Sequence, residues 1–273
     1  MLLSVLQANA VVLDVEANLR TIDEAAARAA KAGAALLLTP ELFPVGYAPL
    51  RLRRELDPAR LPGIRARLAG IARRNGIGLV YSLPAPAGGA DEPSSGSPWH
   101  IGATLLDAAG GEILSYAKVH LFGEEERQAF VAASLPPAVV DFQGVRTSLL
   151  ICYDIEFPEA ARAAAVRGAE LLLVPTALSA GFDEVPLVLV RARALENQLN
   201  VAYANHSGQE ESYTFLGRSV VAGPGGSLLA EAGEQAGLLF AEVGTGPVRA
   251  ARDEVPYLRD RRQAVYRDWD GAV

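Results

Sequence analysis

The chain has 273 residues, 50% of them hydrophobic, with a mean hydropathy of +0.17, a formal net charge of -7 and a pI near 5.1. Such a composition buries a large core, and its acidic balance speaks against nucleic acid or an anionic membrane surface as partner, since both select clustered Lys and Arg. No apolar run reaches the roughly 18 residues of a membrane span, one cysteine makes no intrachain disulfide, and no Cys/His cluster has metal-ligand spacing; a cytoplasmic protein of one domain over 1–273, with no structural metal, is expected.

Residues 2–8 read as a short buried strand, and 14–31 as an amphipathic helix with Leu19, Ile22, Ala26 and Ala30 at helical spacing and Gly33 as its stop. Residues 34–38 form a second buried strand, and Glu41 lies just past it in Thr39-Pro40-Glu41-Leu42-Phe43, at the carboxyl end where α/β sheets place ligands. A helix over 62–75 buries Ile64, Leu68, Ile71 and Ala72 and turns four arginines to solvent. A strand over 77–83 leads to a Pro/Gly/Ser-rich stretch, 84–98, that either moves freely or lies over a site. Strands over 101–107 and 112–118, joined at Ala109-Gly110-Gly111, make a hairpin that ends on Lys118.

The β-type run 147–151 stops at Cys152, where an Ala/Arg-rich helical pattern over 156–167 begins, closed by Gly168. A strand over 170–174 follows, then a helix over 185–197 with Leu189, Ala192, Leu195 and Glu196 near one side. Residues 199–204, 214–222, 227–231 and 238–243 read as strands, with a turn at Gly223-Pro224-Gly225-Gly226. Strands outnumber helices and several pair as hairpins, which suits a mixed sheet, or a pair of sheets, covered by helices.

Glu41, Lys118 and Cys152 each close a strand-like segment, so all three fit one rim of a sheet layer. Singly they have bland readings: a small core hydrophobe for Cys152, a surface acid for Glu41, a solvated strand end for Lys118. Together they suit acyl transfer from nitrogen. A thiol is mostly protonated at its ordinary pKa of ~8.5; Glu41 would take its proton, and Lys118 would lower the cost of the thiolate and of the oxyanion, with the Tyr153 N–H as a second donor.

These stretches carry a resemblance. Pro40-Glu41-Leu42-Phe43, Tyr116-Ala117-Lys118-Val119-His120-Leu121-Phe122 and Ile151-Cys152-Tyr153-Asp154-Ile155-Glu156-Phe157-Pro158-Glu159 resemble the glutamate, lysine and cysteine motifs of the nitrilase or carbon–nitrogen hydrolase superfamily. The likeness runs over nearly the whole chain. It implies a Glu-Lys-Cys triad, no cofactor, and a four-layer α-β-β-α sandwich whose subunits pair into an α-β-β-α-α-β-β-α homodimer. It also implies a second glutamate soon after the lysine; Glu126, followed by Arg127 and Phe130, fits better than Glu125. Tyr47, Tyr153, Ala177, Leu178 and Phe182 are candidate pocket walls, and Glu125 is the alternative contact to substrate.

Tyr153-Asp154 after the cysteine resembles the amidase-type branch, where true nitrilases have Trp-Glu. Relatives that cleave the ω-amide of small keto acids usually have an arginine where Glu156 stands, so a neutral or cationic small-molecule amide is expected. His120 is expected to be structural, and Asp154 to pair with Arg162. The leading reading is a cysteine amidase. N-carbamoyl compounds, nitriles, transfer of the acyl group to an amine, and a non-catalytic binding protein are the alternatives.

Overall fold

Runs of leucine, valine and alanine with no polar face build the middle of this protein, and strands of that kind need cover on both sides. In the computed structural model, which describes residues 1–87 and 96–270, the elements in chain order are β1 (Leu2–Gln7), α1 (Val15–Lys31), β2 (Leu36–Leu38), α2 (Pro49–Glu55), α3 (Leu61–Asn75), β3 (Gly78–Pro86), β4 (Trp99–Leu106) and β5 (Glu112–Ala117). The second half continues with α4 (Gly123–Ala129), β6 (Val139–Phe142), β7 (Val145–Leu149), a 3-10 turn over Cys152–Glu156, α5 (Pro158–Val166), β8 (Leu171–Pro175), α6 (Val190–Asn197) and β9 (Asn200–Ala204). Then come β10 (Ser207–Glu210), β11 (Tyr213–Leu216), β12 (Val220–Ala222), β13 (Leu228–Glu231), β14 (Gly237–Glu242), α7 (Thr245–Glu254), α8 (Tyr257–Asp260) and α9 (Gln263–Asp270).

Two six-stranded sheets result, ordered β14-β1-β2-β3-β4-β5 and β13-β12-β9-β8-β7-β6. Each has a parallel centre, β1-β2-β3 and β7-β8-β9, with antiparallel strands outside it. The sheets face each other, β1 against β9, β2 and β3 against β8, and β5 against β6 and β7. Every residue of β8 and β9 is buried, as strands packed on both faces require. Outside, α1 packs on α3 over β2 and β3, and α5 packs on α6 over β9 and β12. The layers therefore run helix, sheet, sheet, helix, the expected sandwich. Local signals set the helix ends: the Asp14 carboxylate accepts the Ala17 N–H at 3.0 Å to cap α1, and Gly76, at φ +62, stops α3. Among the described residues no helix is long and apolar enough to cross a membrane.

Three expectations are corrected. The strand expected over 214–222 is two: Gly217 (φ +69) and Arg218 (φ +50) break it, so β11 pairs with β10 while β12 joins β9. A Cβ at Gly217 would meet Glu234 Cα at 2.9 Å, so the chain passes there only as glycine. The helix expected over 185–197 opens with a wide π turn, and α6 buries Val190, Arg193, Ala194 and Asn197 and leaves Leu195 47% exposed. The stretch 84–98 starts later as a loop, because residues 84–86 extend β3 and the Ala87 N–H bonds to the Pro98 carbonyl; its middle, 88–95, lies outside the described residues.

Candidate active site

The rim of the two sheets collects three strand ends. After β2 the chain turns so that the Glu41 N–H donates to the Thr176 carbonyl at 3.2 Å, and Leu42 takes a left-handed φ of +53. Gly46 (φ +78) lets this loop cross Val12, whose Cα would stand 2.6 Å from a Cβ. Lys118 follows β5, its N–H bonded to Ile101 and its carbonyl to the Ala133 N–H, both at 2.9 Å. Cys152 opens the 3-10 turn at φ +48, a conformation side chains other than glycine seldom adopt, so its surroundings must enforce it.

Asp154 and Arg193 are what enforce it. The buried Asp154 carboxylate accepts the Ile151 N–H at 3.2 Å, the His120 N–H at 2.9 Å and the Tyr116 hydroxyl at 3.0 Å, and pairs with His120 Nδ1 at 2.8 Å. The His120 ring lies flat on Phe157, 3.9 Å between centroids, which packs it against the cysteine turn. The expected pair with Arg162 does not form: the Asp154 oxygens are already taken, and the charges around Arg162 are Glu196, Arg261 and Arg193. From the far side Arg193 donates to the carbonyls of Ile155 at 3.0 Å and Glu156 at 2.7 Å, closing the end of the turn.

Lys118 Nζ sits at the centre of the site, 2.8 Å from Glu41 Oε1 and 2.8 and 2.9 Å from the two oxygens of Glu126. Lys118 and Glu41 are fully buried and Glu126 is 1% exposed. Glu126 Oε1 also accepts the Tyr47 hydroxyl at 2.7 Å, and Oε2 the Phe122 N–H at 2.8 Å. The Cys152 thiol lies beside the Glu41 carboxylate and the Ala177 backbone amide. The Glu41 carboxylate meets the Cys152 thiol, and its buried Oε2 takes no other donor.

Charge and burial set the protonation states. Burial lifts the Glu41 carboxyl to about 7, against the pull of Lys118 and with the push of Glu126. Burial and the neighbouring Glu41 charge drive the Cys152 thiol far up, more than Lys118 pulls it down. Burial works against the Lys118 ammonium, yet Glu126 and Glu41 outweigh it and hold the proton on. The resting site therefore pairs a protonated thiol with an adjacent carboxylate base, and a thiolate arises only as the proton moves.

The candidate residues divide. Glu41, Lys118, Cys152 and Glu126 converge, whereas Glu125 points away on the exposed side of α4 and accepts a hydrogen bond from Tyr213. Tyr47 is buried and holds Glu126; Ala177 reaches Cys152 through its backbone. Leu178 is gripped at both backbone groups by the Asn205 side chain, at 2.8 and 3.1 Å. Tyr153 meets Phe122 and Phe157 edge-on, and Phe182, 44% exposed, stands edge-on to Phe122, so these rings form one aromatic cluster. Sequence reading missed Phe122, Asn205, Tyr213 and the buried pair His206–Glu210, whose only trace is a polar cluster at the end of an apolar strand. Among the described residues no three of His, Cys, Asp and Glu converge as a metal site.

Residues 2–253 match the carbon–nitrogen hydrolase family. The amidase from Nesterenkonia sp. AN1 is 45% identical and superposes with a TM-score of 0.89 over 98% of this chain and 96% of its own; a glutamate-to-glutamine mutant of it has been solved with the acetamide moiety of fluoroacetamide on the active-site cysteine. A cysteine-to-alanine mutant of the same enzyme has been solved in complex with butyramide. A Pseudomonas protegens hydrolase encoded in the pqqF 5' region is 38% identical over 94% of this chain and 87% of its own length, and the 2-oxoglutaramate amidase of Bacillus subtilis is 30% identical over 85% and 86%.

Proposed function

This chain belongs to the carbon–nitrogen hydrolase family and is an amidase acting on non-peptide carbon–nitrogen bonds, and we propose that Cys152, Glu41 and Lys118 hydrolyse the amides of short, uncharged acyl groups. The observation that carries the reading is the Glu41 carboxylate beside the Cys152 thiol, with its Oε1 held by Lys118. As Cys152 Sγ attacks the amide carbon, Oε2 takes the thiol proton and the carbonyl π electrons move to oxygen. The Lys118 ammonium stabilises the oxyanion together with the Tyr153 N–H, at the start of a helical turn where amides lack intrahelical partners. Collapse breaks the C–N bond, and Glu41 returns its proton to nitrogen so that ammonia leaves. Water then attacks the thioester carbon as Glu41 takes its proton, the C–S bond breaks, and Glu41 returns the proton to the departing thiolate as the carboxylic acid leaves. Glu126 balances the Lys118 charge and fixes its direction.

The substrate class follows from burial and charge at the cysteine. Cys152 is 7% exposed, which favours a small acyl group, in line with the ligands solved on variants of the Nesterenkonia enzyme. Glu156 follows Tyr153 by three residues on a 3-10 turn, where side chains three apart eclipse, and it is half-buried; a carboxylate on the acyl group would meet its charge. That disfavours the ω-amide of a keto acid. Acetamide and butyramide should release ammonia with a kcat/KM at least about tenfold above 2-oxoglutaramate; the reverse order would overturn the substrate class. Two copies pairing across α5 and α6 belong to the same reading, supported by exposed Val166 and Leu195 with Tyr257 nearby, as does a cytoplasmic setting that keeps the thiol reduced.

A further inference from the structure

His206 leaves the end of β9 fully buried, and no step above uses it. Its Nε2 lies 2.6 Å from the Glu41 carbonyl oxygen and its Nδ1 2.6 Å from Glu210 Oε1. A carbonyl oxygen only accepts, so Nε2 carries a proton. Glu210 is committed as an acceptor as well, for Oε1 takes the Ala10 N–H at 2.8 Å and Oε2 the Tyr47 N–H at 2.9 Å. A carboxylate held by two amide donors stays ionised, so Nδ1 carries a proton too and the ring is an imidazolium. Burial would discharge it; Glu210 and Glu41, the titratable groups that bear on the ring, outweigh burial. Phe43 and Phe215 pack against it, with ring centroids at 5.5 and 4.8 Å.

Glu41 is thereby pinned at both backbone groups, its N–H by Thr176 and its carbonyl by His206. A second branch leaves Glu210 for the Tyr47 N–H, continues from the Tyr47 hydroxyl to Glu126, and reaches Lys118 and the Glu41 carboxylate. The circuit closes on the residue where it began. We propose that His206, as an imidazolium, and Glu210 are positioning residues for the base: they set the angle at which Glu41 faces Cys152 and keep it in register with the Tyr47–Glu126–Lys118 branch. The inference rests on Glu41 being the base.

Two measurements test it. With three histidines in the chain, nitrogen-15 spectra of histidine-labelled wild type at pH 8 resolve His206, and both of its ring nitrogens should show protonated shifts. His206→Gln, with rates expressed per alkylatable Cys152 thiol, should lose about 10- to 100-fold in kcat with KM within about twofold, because a small misplacement of a reacting group costs that much. Its acid limb in kcat/KM should move to higher pH, since a cation near the base is gone, and His206→Gln/Glu210→Gln should be no worse than the single variant, as expected of one unit. A neutral ring in wild type, or an unchanged kcat per thiol with an unmoved acid limb, overturns the proposal. Should His206→Gln fail to fold, the wild-type spectrum and the same kinetics of Glu210→Gln decide. Turnover surviving in Glu41→Gln would instead overturn the base assignment, whatever His206 shows.

Discussion

Keeping a carboxyl in a dry site costs stability, and at Glu41 the cost depends on pH. Burial raises this group from an ordinary 4.5 to about 7, the pull of Lys118 included. Below 4.5 the folded and unfolded chains both hold the proton; between 4.5 and about 7 the folded chain binds more, so stability falls as pH rises; above about 7 the whole cost is present. At about 1.4 kcal/mol per pH unit the loss is roughly 3 kcal/mol. Glu41→Gln removes the titration while nearly preserving volume and keeping an oxygen for Lys118. Urea unfolding of both proteins between pH 4.5 and 8 reads the effect, because titrating groups away from the site cancel in the difference. The stability of Glu41→Gln minus that of wild type should rise by roughly 3 kcal/mol across this range, a midpoint change of about 1 M for a urea slope near 3 kcal/mol/M. Parallel curves for the two proteins would refute the claim that burial governs Glu41.

The same ionisation should appear in catalysis: kcat/KM for acetamide should fall about tenfold per pH unit on the acid side of a midpoint at about 7, and a midpoint near 4.5 would remove the argument. Tyr47→Phe deletes the 2.7 Å hydrogen bond to Glu126, a bond to a charged group contributing about 1.5–3 kcal/mol. Its thermal midpoint should drop by several degrees and its kcat should fall; an unchanged melting curve contradicts this. Arg193→Met strands the carbonyls of Ile155 and Glu156 at the end of the cysteine turn, which costs about 1–3 kcal/mol for each buried unpaired group. Slower turnover and an altered rate of Cys152 alkylation by iodoacetamide are the readouts, and wild-type values in both would show that the turn holds itself.

Which parts of this arrangement were legible in the sequence follows from how local their causes are. The strands that lead into Glu41, Lys118 and Cys152 stop just short of a charged or reactive residue, and the two facing sheets bring those ends together. The choice between Glu125 and Glu126 needs the phase of α4: Glu126 and Ala129, three apart, face inward, which leaves Glu124 and Glu125 outside. Arg193 was hidden because charge reads as surface, yet its donors meet the carbonyls that end the cysteine turn, while the apolar Leu195 points outward. The break at Gly217 depends on a close approach by Gly233 and Glu234, which no periodicity encodes. His206 was beyond reach, since its partner is a backbone oxygen 165 residues away.

The central claim is that Cys152 becomes acylated. Intact-protein mass spectrometry after rapid mixing with acetamide and butyramide, quenched in acid, tests it most directly, with wild type beside Cys152→Ala. The matching acyl adduct is expected on wild type, located at Cys152 by peptide mapping, with neither adduct nor ammonia from Cys152→Ala. Ammonia release that persists in Cys152→Ala, or an adduct on another residue, would contradict it.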